Sequence, residues 1–152
     1  MSERIRYQGA IIRADQILLI KHRHHGDGRA YWIIPGGGRE DGETEEACVV
    51  REMREETNLD VAVEKLLLDE SMTDGTVTWH GKTFLCRAIG GDAKPGYEPE
   101  TEASEMYGIV EVRWFDLRHP EKWEPLLTND RITFPLMQRI RKVMGYNTAV
   151  AK

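Results

Sequence analysis

The sequence has only two cysteines, Cys48 and Cys86, far apart and outside any C-x-x-C pattern. A disulfide framework and a cysteine-rich zinc module are therefore both excluded as organising principles. No apolar run is long enough to span a bilayer, and the first residues, Met-Ser-Glu-Arg-Ile-Arg, are too polar for a secretory leader. These absences predict a cytoplasmic protein that engages no membrane. No internal repeat or low-complexity tract occurs, which excludes a solenoid. No basic stripe runs along the chain either, so a nucleic-acid partner is not expected. The one compact basic cluster, Arg139, Arg141 and Lys142, is a weak footprint for RNA.

What remains is an ordinary globular composition, 40% hydrophobic and 31% charged over 152 residues. That length suits one domain, expected over residues 1–146 with a disordered tail at 147–152. The net charge of −5 is concentrated: residues 36–59 hold eight acids against three bases, and the rest of the chain is balanced. Acid gathered beside glycines suggests a divalent-cation site, although a solvated acidic helix face has the same composition.

Hydrophobic periodicity sketches the elements. Tyr7–Arg13 and Gln16–His22 read as strands of a hairpin turning at Ala14-Asp15. Residues 22–29 read as a loop, and Tyr31–Ile34 as a short strand closed by Pro35. Pro35-Gly36-Gly37-Gly38 is expected to be irregular. A helix follows, with Thr44 as N-cap, Glu45 and Glu46 at the positive end of its dipole, and Asn58 as left-handed terminator. Val61–Leu68 fits strand or helix. Thr76–His80 and Thr83–Ile89 read as a hairpin around Gly81-Lys82, residues 90–105 as a long acidic loop, and Ile109–Phe115 as a strand. Thr133–Met144 reads as an amphipathic helix with Leu136, Ile140 and Val143 on one face. Hairpin-linked strands with two helices give an α+β class.

The informative segment runs from Gly37 to Leu59. At about 100° per residue, Glu52, Glu55 and Glu56 share roughly a 100° arc of one helix, where they repel one another near an unfavourable dipole end. A hard dication bound by oxygen ligands would turn that repulsion into binding, which selects Mg²⁺ or Mn²⁺ over zinc. The glycines beside it would let phosphates come close, and the combination suggests metal-assisted attack of water on phosphorus.

Gly37, Glu43 and the run Arg51-Glu52-Met53-Arg54-Glu55-Glu56-Thr57-Asn58-Leu59 match the Nudix box, G-x5-E-x7-R-E-U-x-E-E-x-G-U, where U is a bulky apolar residue. Asn58 alone departs, standing where the pattern has glycine. The chain thus resembles the Nudix hydrolase family (MutT-like), most closely over residues 32–59. The resemblance implies an α/β/α sandwich, the Nudix fold, with a central mixed β-sheet and the box as loop–helix–loop. It implies Glu52, Glu55, Glu56 and the Gly37 backbone as metal site, Glu52 as further ligand or catalytic base, Arg51 as the group orienting the carboxylates, and Glu43 as the tie between loop and helix. Trp32, Gly36, Gly38, His24 and Glu102 are candidate substrate contacts, and Glu98, Glu100 and Glu105 share the acidic loop with Glu102. Trp79, Phe84 and Tyr97 are further aromatic surfaces, and His22 and His25 flank His24.

The function so implied is Mg²⁺-dependent hydrolysis of a pyrophosphate bond in a nucleoside diphosphate linked to another moiety X, either a nucleoside triphosphate or a nucleotide sugar. A non-catalytic nucleotide-sensing module on the same fold is the alternative. Dimers are common in the family, so a homodimer is the assembly to test for.

Overall fold

The computed structural model describes residues 5–96 and 107–146. Strands β1 (Ile5–Arg13) and β2 (Gln16–His24) form the expected hairpin. Its turn residues Ala14 and Asp15 both take left-handed backbone angles, φ 51° and 66°, matching the twist of the flanking strands as a type I′ turn does. Strand β3 (Ala30–Ile33) pairs with β2. The chain then crosses to β1, where Gly36–Gly37 forms a two-residue strand, β4, with Tyr7 opposite Gly37 and Gln8 opposite Gly36. Helix α1 (Glu45–Thr57) follows.

The long strands β5 (Leu59–Asp74) and β6 (Val77–Gly91) form an antiparallel hairpin turning at Gly75, and β6 runs parallel to β1 from His80 opposite Ile5 to Cys86 opposite Ile11. Strand β7 (Tyr107–Asp116) returns along β2. A 3₁₀ turn (Pro120–Lys122), the single-turn helix α2 (Pro125–Thr128) and helix α3 (Thr133–Val143) complete the described chain. The sheet order is β3-β2-β1-β6-β5, with β4 added to β1 and β7 to β2.

Alternation along the strands sends side chains to two cores, the α/β/α arrangement. Ile11 and Leu18 meet Cys48, Val49 and Met53 of α1. Ala10, Ile17, Leu19 and Trp32 meet Leu136, Met137 and Ile140 of α3. Fully burying one such aliphatic side chain contributes roughly 1.5–3 kcal/mol, so each helix is held by several such increments. No helix among the described residues is long and apolar enough to cross a membrane.

Three expectations are corrected and one open choice is decided. Gly81-Lys82 is not a turn: β6 passes straight through it because β1 and β5 pair with both of its edges. Val61–Leu68 is strand throughout. Gly36-Gly37 is not irregular, since β1 captures it. Val143 is 49% exposed and leaves the helix face to Leu136 and Ile140. The basic cluster also dissolves: Arg139 forks onto Glu70, and buried Arg141 donates to the Leu117 carbonyl at 2.7 Å.

Both ends of α1 follow the sequence. Thr44 Oγ1 accepts from the Ala47 amide at 3.0 Å. Asn58 has φ 65°, its amide donates to the Arg54 carbonyl, and its side chain donates to Asp92 O at 2.9 Å. Replacing the box glycine by asparagine therefore keeps the left-handed stop. Asn58→Gly is expected to keep stability within about 1 kcal/mol, whereas Asn58→Val should lose about 1–2 kcal/mol or more in urea unfolding. Equal stability of the two variants would refute the left-handed cap.

Candidate active site

Arg51 organises the box. Its guanidinium donates through Nε to Glu43 Oε2 at 2.7 Å and through Nη2 to Glu43 Oε1 at 2.9 Å, a bidentate fork. Nη1 reaches Glu52 Oε2 at 3.2 Å and Glu55 Oε1 at 3.0 Å, and Nη2 also donates to the Gly38 carbonyl. The charge repulsion expected among the glutamates is thus already partly offset inside the chain. Surrounding carboxylates drive the Arg51 pKa upward, the Glu43 bond being the largest contribution. The same bond holds Glu43 down at about 2. Glu43 also accepts from the Glu40 amide, so its carboxylate joins the loop to Arg51 of the helix.

Glu52 and Glu56 are buried, at 1% and 0% exposure. Burying carboxylates is costly unless charge or hydrogen bonds compensate. Arg51 serves Glu52, and the Gly36 amide donates to Glu56 Oε1 at 2.9 Å. The glycines are required by close approach. A Cβ on Gly37 would stand 2.4 Å from Glu52 Oε2, and one on Gly36 would stand 2.4 Å from the Tyr7 carbonyl. Gly38 contributes its carbonyl to Arg51 and to the Cys48 thiol, whose pKa burial pushes up to about 12, leaving it an inert thiol.

Among the described residues no three acidic, histidine or cysteine side chains converge as a ready-made metal cage. Glu52 and Glu55 turn toward Arg51, and Glu56 toward Gly36. The donor set still fits a hard dication: three carboxylates on adjacent turns, two of them shielded from water, with Glu52 lying in the space that the missing Gly37 side chain leaves. Magnesium needs few protein ligands, because water and phosphate oxygens complete its shell.

The other candidates divide. Trp32 is wholly buried at 0% exposure, packed edge-on to Phe115 at 5.0 Å and donating to Glu124, so it is core and not a stacking surface. Phe84 is core as well. His24 ends β2 and pairs with Asp27 across the following turn, 3.2 Å apart. His22 lies within β2 and not in a loop; burial, aided by Arg6, lowers its pKa to about 4, so it is neutral at pH 7. Glu98, Glu100, Glu102, Glu105, Tyr97 and the tail 147–152 lie outside the described residues.

Two features escaped the sequence reading. Residues 92–96 run across the C-terminal end of α1: the Lys94 and Gly96 amides donate to the Thr57 and Glu56 carbonyls. Only glycine fits at 96, where a Cβ would fall 1.8 Å from the Glu55 carbonyl. Residues 92–96 therefore lie beside the C-terminal end of the box helix. The second feature is a cavity of about 780 Å³ at the β3 edge, lined by Tyr31, Ile33, Trp79, Leu126, Asn129 and Ile132 among others. Its walls come from four separate elements, and no local motif announces it.

The NUDIX domain model matches residues 4–136, and the chain belongs to the Nudix family. It is 34% identical over 116 residues to an ADP-ribose pyrophosphatase of Methanocaldococcus jannaschii, covering 75% of this chain and 62% of that protein. A Caenorhabditis elegans protein named as a Nudix hydrolase is 38% identical over 85 residues, 56% of this chain and 22% of its own length. The chain thus spans less than two thirds of these relatives. Among solved structures, a MutT NUDIX hydrolase from Burkholderia pseudomallei matches with TM-score 0.66 at 27% identity, covering 92% of this chain and 99% of that one. Nudix hydrolases generally use divalent metals.

Two outcomes test this geometry. Gly37→Ala should displace the Glu52 carboxylate and lower activity by at least about tenfold, with a well-folded circular dichroism spectrum. Glu43 has a folded pKa below its ordinary value of 4.5. Its stabilisation is therefore complete above that value and fades as pH falls toward 2. The acid limb of a stability–pH curve should be shallower in Arg51→Ala than in the wild type, and parallel limbs would contradict the fork.

Proposed function

We propose that the chain hydrolyses the phosphoanhydride of a nucleoside diphosphate linked to a moiety X, with Mg²⁺ (or Mn²⁺) held by Glu52, Glu55, Glu56 and backbone oxygen near Gly37. The observation that carries this reading is the intact Arg51 fork, which holds Glu43, Glu52 and Glu55 together while Glu56 is anchored on Gly36. A module that only sensed nucleotide would have no use for two buried carboxylates arranged this way.

The bound metal would lower the pKa of a coordinated water and neutralise charge developing on the leaving phosphate. The chain's own residues do the rest. Glu52, beside Gly37 and held at one oxygen by Arg51, serves as a further metal ligand or as the base that accepts the proton of the attacking water. Arg51 hydrogen-bonds Glu52 and Glu55 and fixes their rotamers, so little reorganisation is needed when substrate arrives. Glu43 holds the Arg51 guanidinium in turn.

The cavity at the β3 edge is the place for the nucleoside or for X. It lies on the strand that leads directly into Gly36-Gly37, and it combines apolar and aromatic walls with the Asn129 amide. Its size accommodates a base with ribose, as pockets for such ligands do. Of the two families of substrate, this favours a nucleotide-sugar type over a bare triphosphate tail, and the similarity to an ADP-ribose pyrophosphatase points the same way. RNA ends are disfavoured because Arg139 and Arg141 are engaged within the fold.

A panel of ADP-ribose, UDP-sugars and nucleoside triphosphates, assayed with and without Mg²⁺, tests the proposal by identifying both products. ADP-ribose should yield AMP and ribose phosphate only with metal. Glu56→Gln should lower kcat by about a hundredfold or more while KM stays within about threefold. Tight nucleotide binding without turnover under every metal and substrate would establish the sensing module instead.

A further inference from the structure

The geometry points to Arg6, which lies outside the box, as a positioning residue that holds Glu56 in place through the backbone of Ile34-Pro35-Gly36. This rests on the proposed role of Glu56 as a metal ligand.

Three consecutive backbone groups ahead of the box are pinned. The Ile34 carbonyl accepts from Arg6 Nη2 at 2.7 Å. The Pro35 carbonyl accepts from the Gly9 amide at 3.0 Å. The Gly36 amide, on the same peptide unit as that Pro35 carbonyl, donates to Glu56 Oε1 at 2.9 Å. One planar peptide therefore bridges β1 and a buried carboxylate, and its tilt fixes the direction of the Gly36 N–H. Pro35 lacks an amide and has a fixed φ, so the freedom left in this segment is Pro35 ψ, which the Gly9 bond to the Pro35 carbonyl restrains, and the Ile34 backbone, where Arg6 acts.

Arg6 is itself braced. Its Nε donates to Gln8 Oε1 at 3.0 Å, and Gln8 Nε2 donates to Thr83 Oγ1 at 2.8 Å. Gln8 and Thr83 are each 1% exposed and stand opposite one another in β1 and β6. A buried polar chain thus runs from β6 through β1 to the loop that presents Gly36. Arginine suits the position because its planar fork reaches two acceptors at once, whereas a lysine ammonium on a flexible stem keeps one with poorer direction. Charge-assisted bonds to neutral oxygens are also stronger than neutral ones, which is useful where a single carbonyl sets an angle.

The test compares Arg6→Met and Arg6→Lys with wild type, and with Arg139→Met as a control that breaks the Glu70 fork elsewhere on the sheet. The first readout needs neither metal nor activity: hydrogen exchange at the Gly36 amide, by NMR. Arg6→Met should exchange at Gly36 at least about tenfold faster, Arg6→Lys should fall between, and Arg139→Met should match wild type. The second readout is Mn²⁺ affinity by calorimetry, expected to weaken about five- to tenfold in Arg6→Met, with kcat falling and KM unchanged. Millimolar guanidinium added to Arg6→Met should recover part of both losses. Wild-type Gly36 exchange in Arg6→Met, or equal loss in Arg139→Met, would overturn the proposal. Should wild type itself bind no Mn²⁺, the reading of Glu56 as ligand falls, and the Gly36 exchange comparison still decides what Arg6 does.

Discussion

The candidate site depends on one interaction, the fork between Arg51 and Glu43. Three further acidic groups lie within reach of the same guanidinium, Glu52 and Glu55 by hydrogen bonds and Glu40 at 3.7 Å. Without a fixed cation the helix would carry unscreened like charges on adjacent turns, two of them removed from water. With it, the carboxylates have set rotamers before any ligand arrives. The Glu43 end matters equally, because it ties the cation to the loop and so fixes where along the helix the positive charge sits. A surface salt bridge of ordinary kind contributes little. This one differs in being bidentate, half-buried and shared among several acids.

That arrangement explains the glycines better than backbone freedom does. Gly36 and Gly37 do not need unusual φ angles; they are extended and paired with β1. What they lack is a side chain, and the space so released is occupied by the Tyr7 carbonyl and by Glu52. The strand, the loop and the helix are packed against one another at van der Waals distance, and the site is the place where they meet. Gly96 repeats the device at the other end, where the segment leading to the acidic loop presses on the last carbonyls of α1.

Features whose cause is local were legible in the sequence. Thr44 and Asn58 declare the ends of α1 by their own chemistry, and Glu52, Glu55 and Glu56 declare a shared face by spacing alone. The Ala14-Asp15 turn follows from alternation on either side. Features whose cause is tertiary were not. Gly81-Lys82 has the composition of a turn, yet it is held straight by β1 on one edge and β5 on the other. Trp32 looks like a stacking residue beside the box, yet the alternation of β3 points it into the core under α3. Arg141 reads as surface charge until the Leu117 carbonyl is seen to hold it. The β3-edge cavity and the Arg6–Gln8–Thr83 chain join residues far apart in sequence, which no window of the chain could display.

The central claim is that these carboxylates are placed to hold a dication against a diphosphate at Gly37. Anomalous diffraction from a crystal grown with Mn²⁺ and a non-hydrolysable ADP-ribose analogue tests it most directly. The account predicts a manganese peak within coordination distance of Glu52 or Glu56 carboxylate oxygens, bridging to the diphosphate. Manganese confined to Glu40, Asp41 and the outer loop, or a diphosphate seated away from Gly37, would contradict it.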